Sequence, residues 1–332
     1  MKIFCQFFAI FYFFYENYGL SPCEMLYLYY NHITRLLKIM KFLNALKIIL
    51  LGIVEGITEW LPISSTGHMK LINSVPFLRV QNVSDGFMEM FEYVIQLAAI
   101  LAVVILFWST IWPLKKETSE DGNNKVVLQK DVLSFWGKIA VACVPALLAL
   151  VPDMLFEKLC EKHALVEPLM ISCTLILYGV AFIVIENFNK KRTPRITEIS
   201  QLSYKYAFFI GCFQLLAAIP GTSRSGITII GALLLGVDRT TASKFTFVLA
   251  IPTMVGASAY KLLKFFLDAG TMTGTEIGYL CLGMAVSFTV SLFAIKFLMD
   301  FVKKHDFKAF GWYRIGLGIV VIAAIVIPAL LA

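Results

Sequence analysis

Uncharged apolar runs dominate the pattern of this chain. Residues 93–114, 168–185, 277–295 and 315–332 contain no Lys, Arg, Asp or Glu. About 18 or more such residues in a helix cross a bilayer core of roughly 30 Å. Read with their flanks, the apolar runs predict six full spans at about 88–112, 132–152, 166–186, 245–267, 275–299 and 312–331. Two further apolar stretches are interrupted, 45–75 at LPISSTGH and 206–237 at IPGTSRSG. Pro with clustered Gly and Ser is where a helix breaks.

The polar segments give the spans a direction. Loop 113–131 carries Lys115, Lys116, Lys125 and Lys130; loop 187–205 carries Lys190, Lys191, Arg192, Arg195 and Lys205; loop 300–311 carries Lys303, Lys304 and Lys308. Placing all three in the cytoplasm satisfies the positive-inside tendency. Segment 206–237 then begins and ends on that side, because Arg239 and Lys244 precede an outward-going span. It is expected to enter and return as a re-entrant hairpin. By parity the first broken stretch is a hairpin open to the outside, although Arg35, Lys38, Lys41 and Lys47 before it pull the other way.

Two broken hairpins of opposite orientation, each followed by a span, are the pattern of an inverted repeat. Its halves are expected at about 40–165 and 166–332. Pro62–Gly67 lines up with Pro220–Gly226, and FEYVIQLAAI and FTFVLAIPTM follow the two prolines by about 25 to 29 residues. The fold class expected is an all-α polytopic membrane protein, with six transmembrane helices plus two re-entrant helical hairpins. Irregular backbone at membrane depth survives only inside protein or along a wet cavity. Two such breaks therefore imply one shared polar site.

Composition sharpens this picture. Of 332 residues, 59% are hydrophobic and 15% charged, with a mean hydropathy of +0.78. A soluble domain is nearer half apolar and a quarter charged, so the surplus faces lipid. The net charge of +7 sits in short loops between spans, which argues against nucleic acid. Seven cysteines show no CxxC pattern and lie mostly in apolar runs, where Cys packs as a small hydrophobe. Residues 1–39 are aromatic-rich, with no basic leader region of any length and no clear cleavage site. Met40 opens MKFLNALKIILLG, so 1–39 are expected to be an extension and 40–332 the single membrane domain.

Chemistry concentrates at the two breaks. Glu55 and Glu59 are four apart and share a helix face. Carboxylates amid IILLGIV and WLPI are costly in a membrane, and a pair suggests a divalent cation, a shared proton, or both; oxygen ligands suit Mg²⁺ or Ca²⁺. His68 follows in the same motif and can carry protons near neutral pH. Ser65 is a candidate nucleophile or phosphate donor, though Ser64, Ser65 and Thr66 would also serve as helix caps. In the second break Arg224 stands between 18 uncharged residues before it and 13 after. Arg grips phosphate bidentately, and the plainer reading pairs it with Glu55 or Glu59. Gly221 and Gly226 allow close backbone approach. Thr222, Ser223, Ser225 and Thr228 put hydroxyls at the start of a half-helix, whose free N–H groups favour anions. Carboxylates, His, Arg and hydroxyls together suit phosphoryl transfer, where positioning and charge stabilisation dominate.

EGITEWLPISSTGH followed by PGTSRSGIT resembles the paired signatures of the undecaprenyl-diphosphate phosphatase, or bacitracin-resistance, family. The likeness extends over roughly residues 40–332 and includes GCFQ, GALLLGV and FTFVLAIP. The family's two acidic residues are met by Glu55 and Glu59, its His by His68 and its phosphate-binding Arg by Arg224. Its hydroxyl positions are met by Ser65, Ser223, Ser225 and Thr228. The resemblance implies hydrolysis of undecaprenyl diphosphate to undecaprenyl phosphate and inorganic phosphate, aided by a divalent cation, Mg²⁺ or Ca²⁺, on Glu55 and Glu59. Arg224 and the backbone of Gly221–Gly226 would hold the diphosphate and His68 would act as acid or base. It further implies a bacterial cytoplasmic-membrane location with the site facing outward, recycling the carrier for cell-wall synthesis. The partners expected are a polyprenyl diphosphate lipid and the bilayer, with a homo-oligomer left open.

Two rival readings fit less well. The type-2 phosphatidic acid phosphatase class shares look-alike segments but needs a His about six positions after its SR pair, and SGITIIGALLLGVD supplies none. A transporter or flippase would share the broken-helix architecture, but it has no need of His68 or a carboxylate pair beside a phosphate cradle.

Overall fold

The computed structural model describes residues 21–118, 124–148, 150–163, 165–190, 192–268 and 271–331. The chain divides into two compact units, 1–47 and 48–332. Residues 1–20 of the expected extension lie outside the described residues. In the first unit, Ser21 opens helix α1 (Pro22–Thr58). The Ser21 N–H and hydroxyl both donate to Glu24 Oε2 at 2.8 Å, and the hydroxyl accepts from the Glu24 N–H at 3.3 Å, a reciprocal cap. Leu26, Tyr27, Leu36 and Phe42 stay exposed. α1 runs through Met40 without a break and ends in the second unit.

The second unit is built from α2 (Ser65–Ser74), α3 (Phe87–Leu106), α4 (Lys130–Leu148), α5 (Leu150–Lys162), α6 (Val166–Asn189), α7 (Tyr204–Gln214), α8 (Arg224–Leu234), α9 (Arg239–Asp268), α10 (Gly274–Lys304) and α11 (Lys308–Val321). Among the described residues six helices are long and apolar enough to cross a membrane: α3, α4, α6, α9, α10 and the continuous stretch Lys308–Leu331. They fall where the apolar runs put them. The first stops short of its expected end at 112, because Phe107 leaves helical geometry at φ −107° and a short turn of helix follows at Trp108–Ile111. Loop 113–131 contains an antiparallel hairpin, β1 (Leu114–Thr118) with β2 (Asn124–Leu128), registered Leu114 opposite Leu128.

Close helix approach sets the packing. Gly52 and Gly56 on α1 face α10, where an added Cβ would lie 3.0 Å from Gly283 O and 2.8 Å from Ser287 O. α7 packs on α4 in the same manner, with Gly211 against Ala142 O. α6 and α11 pack face to face, and Gly179 and Gly311 each occupy the space against the other's carbonyl. α3 packs against both α9 and α10. Small residues at such contacts let backbones approach where lipid offers no hydrophobic drive. The core runs through Trp60, Phe107 and Phe247, with the Trp60 and Phe247 rings edge-on at 5.3 Å. Buried Glu186 accepts from Arg239 Nη2 at 2.6 Å and from the Phe307 N–H at 3.0 Å, tying the ends of α6, α9 and α11 together. These ties hold the scaffold on which both breaks are suspended.

Candidate active site

Each break is a helix end, a few irregular residues, and a new helix. The first lies between Thr58 and Ser65. Glu55 is in the last turn of α1 and Glu59 just past it, with the Glu59 N–H still donating to Glu55 O at 3.0 Å. Ser64 then turns the chain at φ 73°, an unusual value for a residue with a Cβ, and its hydroxyl caps α2 by accepting from the Gly67 N–H at 3.3 Å. The second break follows a 3₁₀ turn at Leu215–Ala218. Gly221 takes φ 83° where a Cβ would collide with Thr174 Oγ1 and Ile171, and the Thr174 hydroxyl donates to Pro220 O at 2.9 Å. Ser223 caps α8 by accepting from the Gly226 N–H at 3.1 Å.

The two breaks meet. Arg224 Nη2 is ion-paired with Glu59 Oε1, and Ser65 donates to Glu59 Oε2 at 2.8 Å. Ser225 donates to Glu59 O at 3.1 Å, and Ser223 and Ser225 share a hydrogen bond of 3.1 Å. One carboxylate thus carries a cation on one oxygen and a hydroxyl on the other. The Glu59 side chain is 8% exposed and that of Arg224 21%, so the cluster is shielded but reachable. The pairing of Arg224 with a glutamate, the plainer of the two sequence readings, is present, and it links the two breaks directly.

The remaining candidates divide. His68 is half-buried one turn into α2. Its Nδ1 is 2.7 Å from Ser64 O; a carbonyl only accepts, so Nδ1 carries a proton. Its Nε2 is 2.8 Å from Tyr313 Oη, and the two rings stack at 5.6 Å. Its nearest polar partners are therefore Ser64 and Tyr313, not Ser65 or Glu59. Thr222 is buried with a hydroxyl that has no partner. Thr228 is fully buried and donates back onto its own helix, to Arg224 O at 2.9 Å and Ser225 O at 3.1 Å. Gly226 holds its place beneath the Ser223 cap.

Glu55 is buried and its Oε1 has no partner. An orphaned buried carboxylate oxygen one turn from a second carboxylate is a donor set that fits a hard divalent cation. Mg²⁺ is commonly held by one or two carboxylates, with substrate phosphate oxygens completing its shell. Among the described residues no cluster of three His, Cys, Asp or Glu side chains offers an all-protein cage.

Three neighbours escaped the sequence reading. Arg314 is fully buried on α11 and donates to Pro62 O and Gly221 O, each at 3.3 Å. Tyr313 beside it holds His68. Glu92 on α3 accepts from Asn73 Nδ2 at 3.0 Å. Arg314 had a signal: it is the sole charge between Lys308 and the end of the chain, the same isolation that singled out Arg224.

The family model described as Bacitracin resistance protein BacA matches residues 48–320 of this chain. The undecaprenyl-diphosphatase of Enterococcus faecalis is 56% identical over 281 residues, covering 85% of this chain and 97% of that protein. Those of Lachnoclostridium phytofermentans and Desulfitobacterium hafniense are each 53% identical, over 282 and 285 residues, covering 85% of this chain and 97% and 96% of those proteins.

Proposed function

The chain belongs to the bacitracin resistance protein BacA family, and from that premise we propose that its two breaks form one active site hydrolysing undecaprenyl diphosphate to undecaprenyl phosphate and inorganic phosphate. The observation that carries the proposal is the single carboxylate of Glu59, which binds Arg224 of the other break on one oxygen and Ser65 of its own on the other. Relatives named undecaprenyl-diphosphatases, about half identical over nearly their whole length, support the substrate.

The residues divide the work as follows. Arg224, the capped N-terminus of α8 and the Thr222 hydroxyl face the diphosphate with positive charge and donors; a helix N-terminus with free N–H groups is a ready anion site, and Arg is the bidentate phosphate ligand. An incoming diphosphate competes with Glu59 for the guanidinium, which leaves the Glu59 carboxylate to the Ser65 proton. Ser65 Oγ attacks the terminal phosphorus, the bridging P–O bond breaks, and undecaprenyl phosphate departs. Water then cleaves the phosphoserine, returning the proton to Ser65 and releasing inorganic phosphate. His68, with its Nδ1 proton donated to Ser64 O, leaves Nε2, beside the Tyr313 hydroxyl, as the nitrogen that can accept a proton. Glu55 and Glu59 would hold the divalent cation, Mg²⁺ or Ca²⁺, which when bound supplies charge that neutralises diphosphate oxygens. The site faces the outer side of the bacterial cytoplasmic membrane, with both breaks as re-entrant hairpins. The exchange of packing partners, α1 on α10 and α7 on α4, supports two repeated halves.

The test is phosphate release from C55 diphosphate by purified protein in detergent with Mg²⁺ or Ca²⁺. Release that Arg224→Ala and Glu59→Gln both abolish supports the reading. Absence of release from folded wild-type protein sinks it, and transport in liposomes becomes the next measurement.

A further inference from the structure

Arg314 is charged, wholly buried and remote in sequence from both breaks, yet it touches each of them. Its Nη1 donates to Pro62 O in the first break and its Nη2 to Gly221 O in the second, both at 3.3 Å. Its Nε has no partner, and no carboxylate among the described residues pairs with it. The Tyr178 ring lies 5.8 Å from the guanidinium carbon. Burying a charge without a counter-ion is strongly unfavourable, so packing alone does not account for an Arg here. A planar fork is suited to the geometry, because its two terminal nitrogens reach two carbonyls at once while a lysine ammonium is a single point. The carbonyls it holds belong to the residues that shape each break. Pro62 is two residues before the Ser64 cap, and Gly221 is two before the Ser223 cap. The contact is therefore made at equivalent places on the two halves.

We infer that Arg314 is a positioning residue that fixes the distance between the two breaks, so that Glu59 and Ser65 on one and Arg224 on the other close on a single diphosphate. The inference rests on the hydrolase reading for its substrate, but its geometry is independent of turnover. The adjacent Tyr313 extends the same function: one residue of α11 sets the spacing of the breaks and the next sets the orientation of His68. Arg314 is fully buried and acts through the backbone of both breaks; it does not contact the reacting atoms.

The test uses the full-length protein in detergent, with Arg314→Met and Arg314→Lys beside wild type. Three quantities are measured: the thermal midpoint, affinity for methylenediphosphonate as a non-hydrolysable probe, and kcat and KM for C55 diphosphate. A displacement of about 1 Å in a reacting geometry can lower turnover roughly 100-fold. Arg314→Met is expected to weaken probe binding and lower kcat by about that order with a midpoint near wild type. Arg314→Lys should recover only part of the loss, since it restores charge but not the fork. Wild-type probe affinity in Arg314→Met would overturn the inference. Full recovery by Arg314→Lys would overturn it as well, by assigning the effect to charge. Loss of folded protein in both variants would give Arg314 a folding role and end the proposal. Probe binding by a wild type that releases no phosphate would refute the hydrolase reading while leaving the positioning of the breaks measurable.

Discussion

The two breaks share a backbone plan and differ in what they carry. Ser64 and Ser223 cap α2 and α8 in the same way, each accepting from the N–H three residues on. Superposed on that cap, Ser65 corresponds to Arg224 and Thr66 to Ser225. One break brings a hydroxyl and two preceding carboxylates, and the other brings a guanidinium. A phosphate anhydride needs both a cationic cradle and a group that attacks, and neither break has the two together. The two sets of groups come together only where the breaks meet, at Glu59. The same capping plan thus serves both breaks, while the residues that follow each cap differ.

The most damaging way to break that division is to remove the cation. Arg224→Ala is expected to lower phosphate release by about 10³-fold or more, the scale on which an arginine acts in phosphoryl transfer. It also leaves the Glu59 carboxylate largely buried without its partner, which costs up to about 3 kcal/mol. Adding Glu59→Gln should restore thermal stability but not activity. A double variant no more stable than Arg224→Ala would show that the pair does not join the breaks energetically.

The next largest effect tests the hydroxyl. Ser65→Ala is expected to lower kcat by roughly 10²-fold or more, and a phosphoserine at residue 65 should be trapped by acid quench and seen by mass spectrometry. A variant that keeps most of its turnover would shift the attack to water. Metal removal comes third. Chelation should abolish release, and Mg²⁺ or Ca²⁺ should restore it. Glu55→Gln should raise the cation concentration for half-maximal rate by about tenfold, since ligand charge count sets affinity at oxygen sites. An unchanged cation requirement would remove Glu55 from the metal.

Much of this was legible along the chain because its signals are local. Four of the six spans follow from charge-free runs and the other two from apolar runs around a single lysine or a lysine pair, and the breaks follow from LPISSTGH and IPGTSRSG. Glu59 and Arg224 stood out as charges in apolar surroundings. What could not be read depends on tertiary contact. Nothing near Arg314 shows that it reaches carbonyls 252 and 93 residues away. The partner of His68 is Tyr313, on the last long helix. The hydroxyl of Thr228 looks available in PGTSRSGIT, but at helical spacing it folds back onto Arg224 O, a choice open to any Thr inside a helix. The β1–β2 hairpin was missed because LKKET and NKVVL are too short and mixed for a two-residue period to show.

The smallest effect tests the backbone plan itself. Both breaks need a residue at positive φ, but the second places it on Gly221, ahead of its cap, while the first places it on the cap, Ser64. Replacing a capping Ser by Ala costs about 1 kcal/mol and by Gly only a few tenths. At position 223, where φ is −62°, Ala and Gly should differ by no more than that, and Gly adds its own chain-entropy cost. At position 64 the φ of 73° penalises any Cβ by about 1–3 kcal/mol, a strain that Gly relieves. Ser64→Gly should therefore melt at or slightly above wild type and Ser64→Ala below it, with the Gly-over-Ala advantage larger at 64 than at 223 by about 1 kcal/mol. Equal differences at the two positions would mean that Ser64 is not strained in the folded protein, and that the two breaks are alike in backbone energetics as well as in capping.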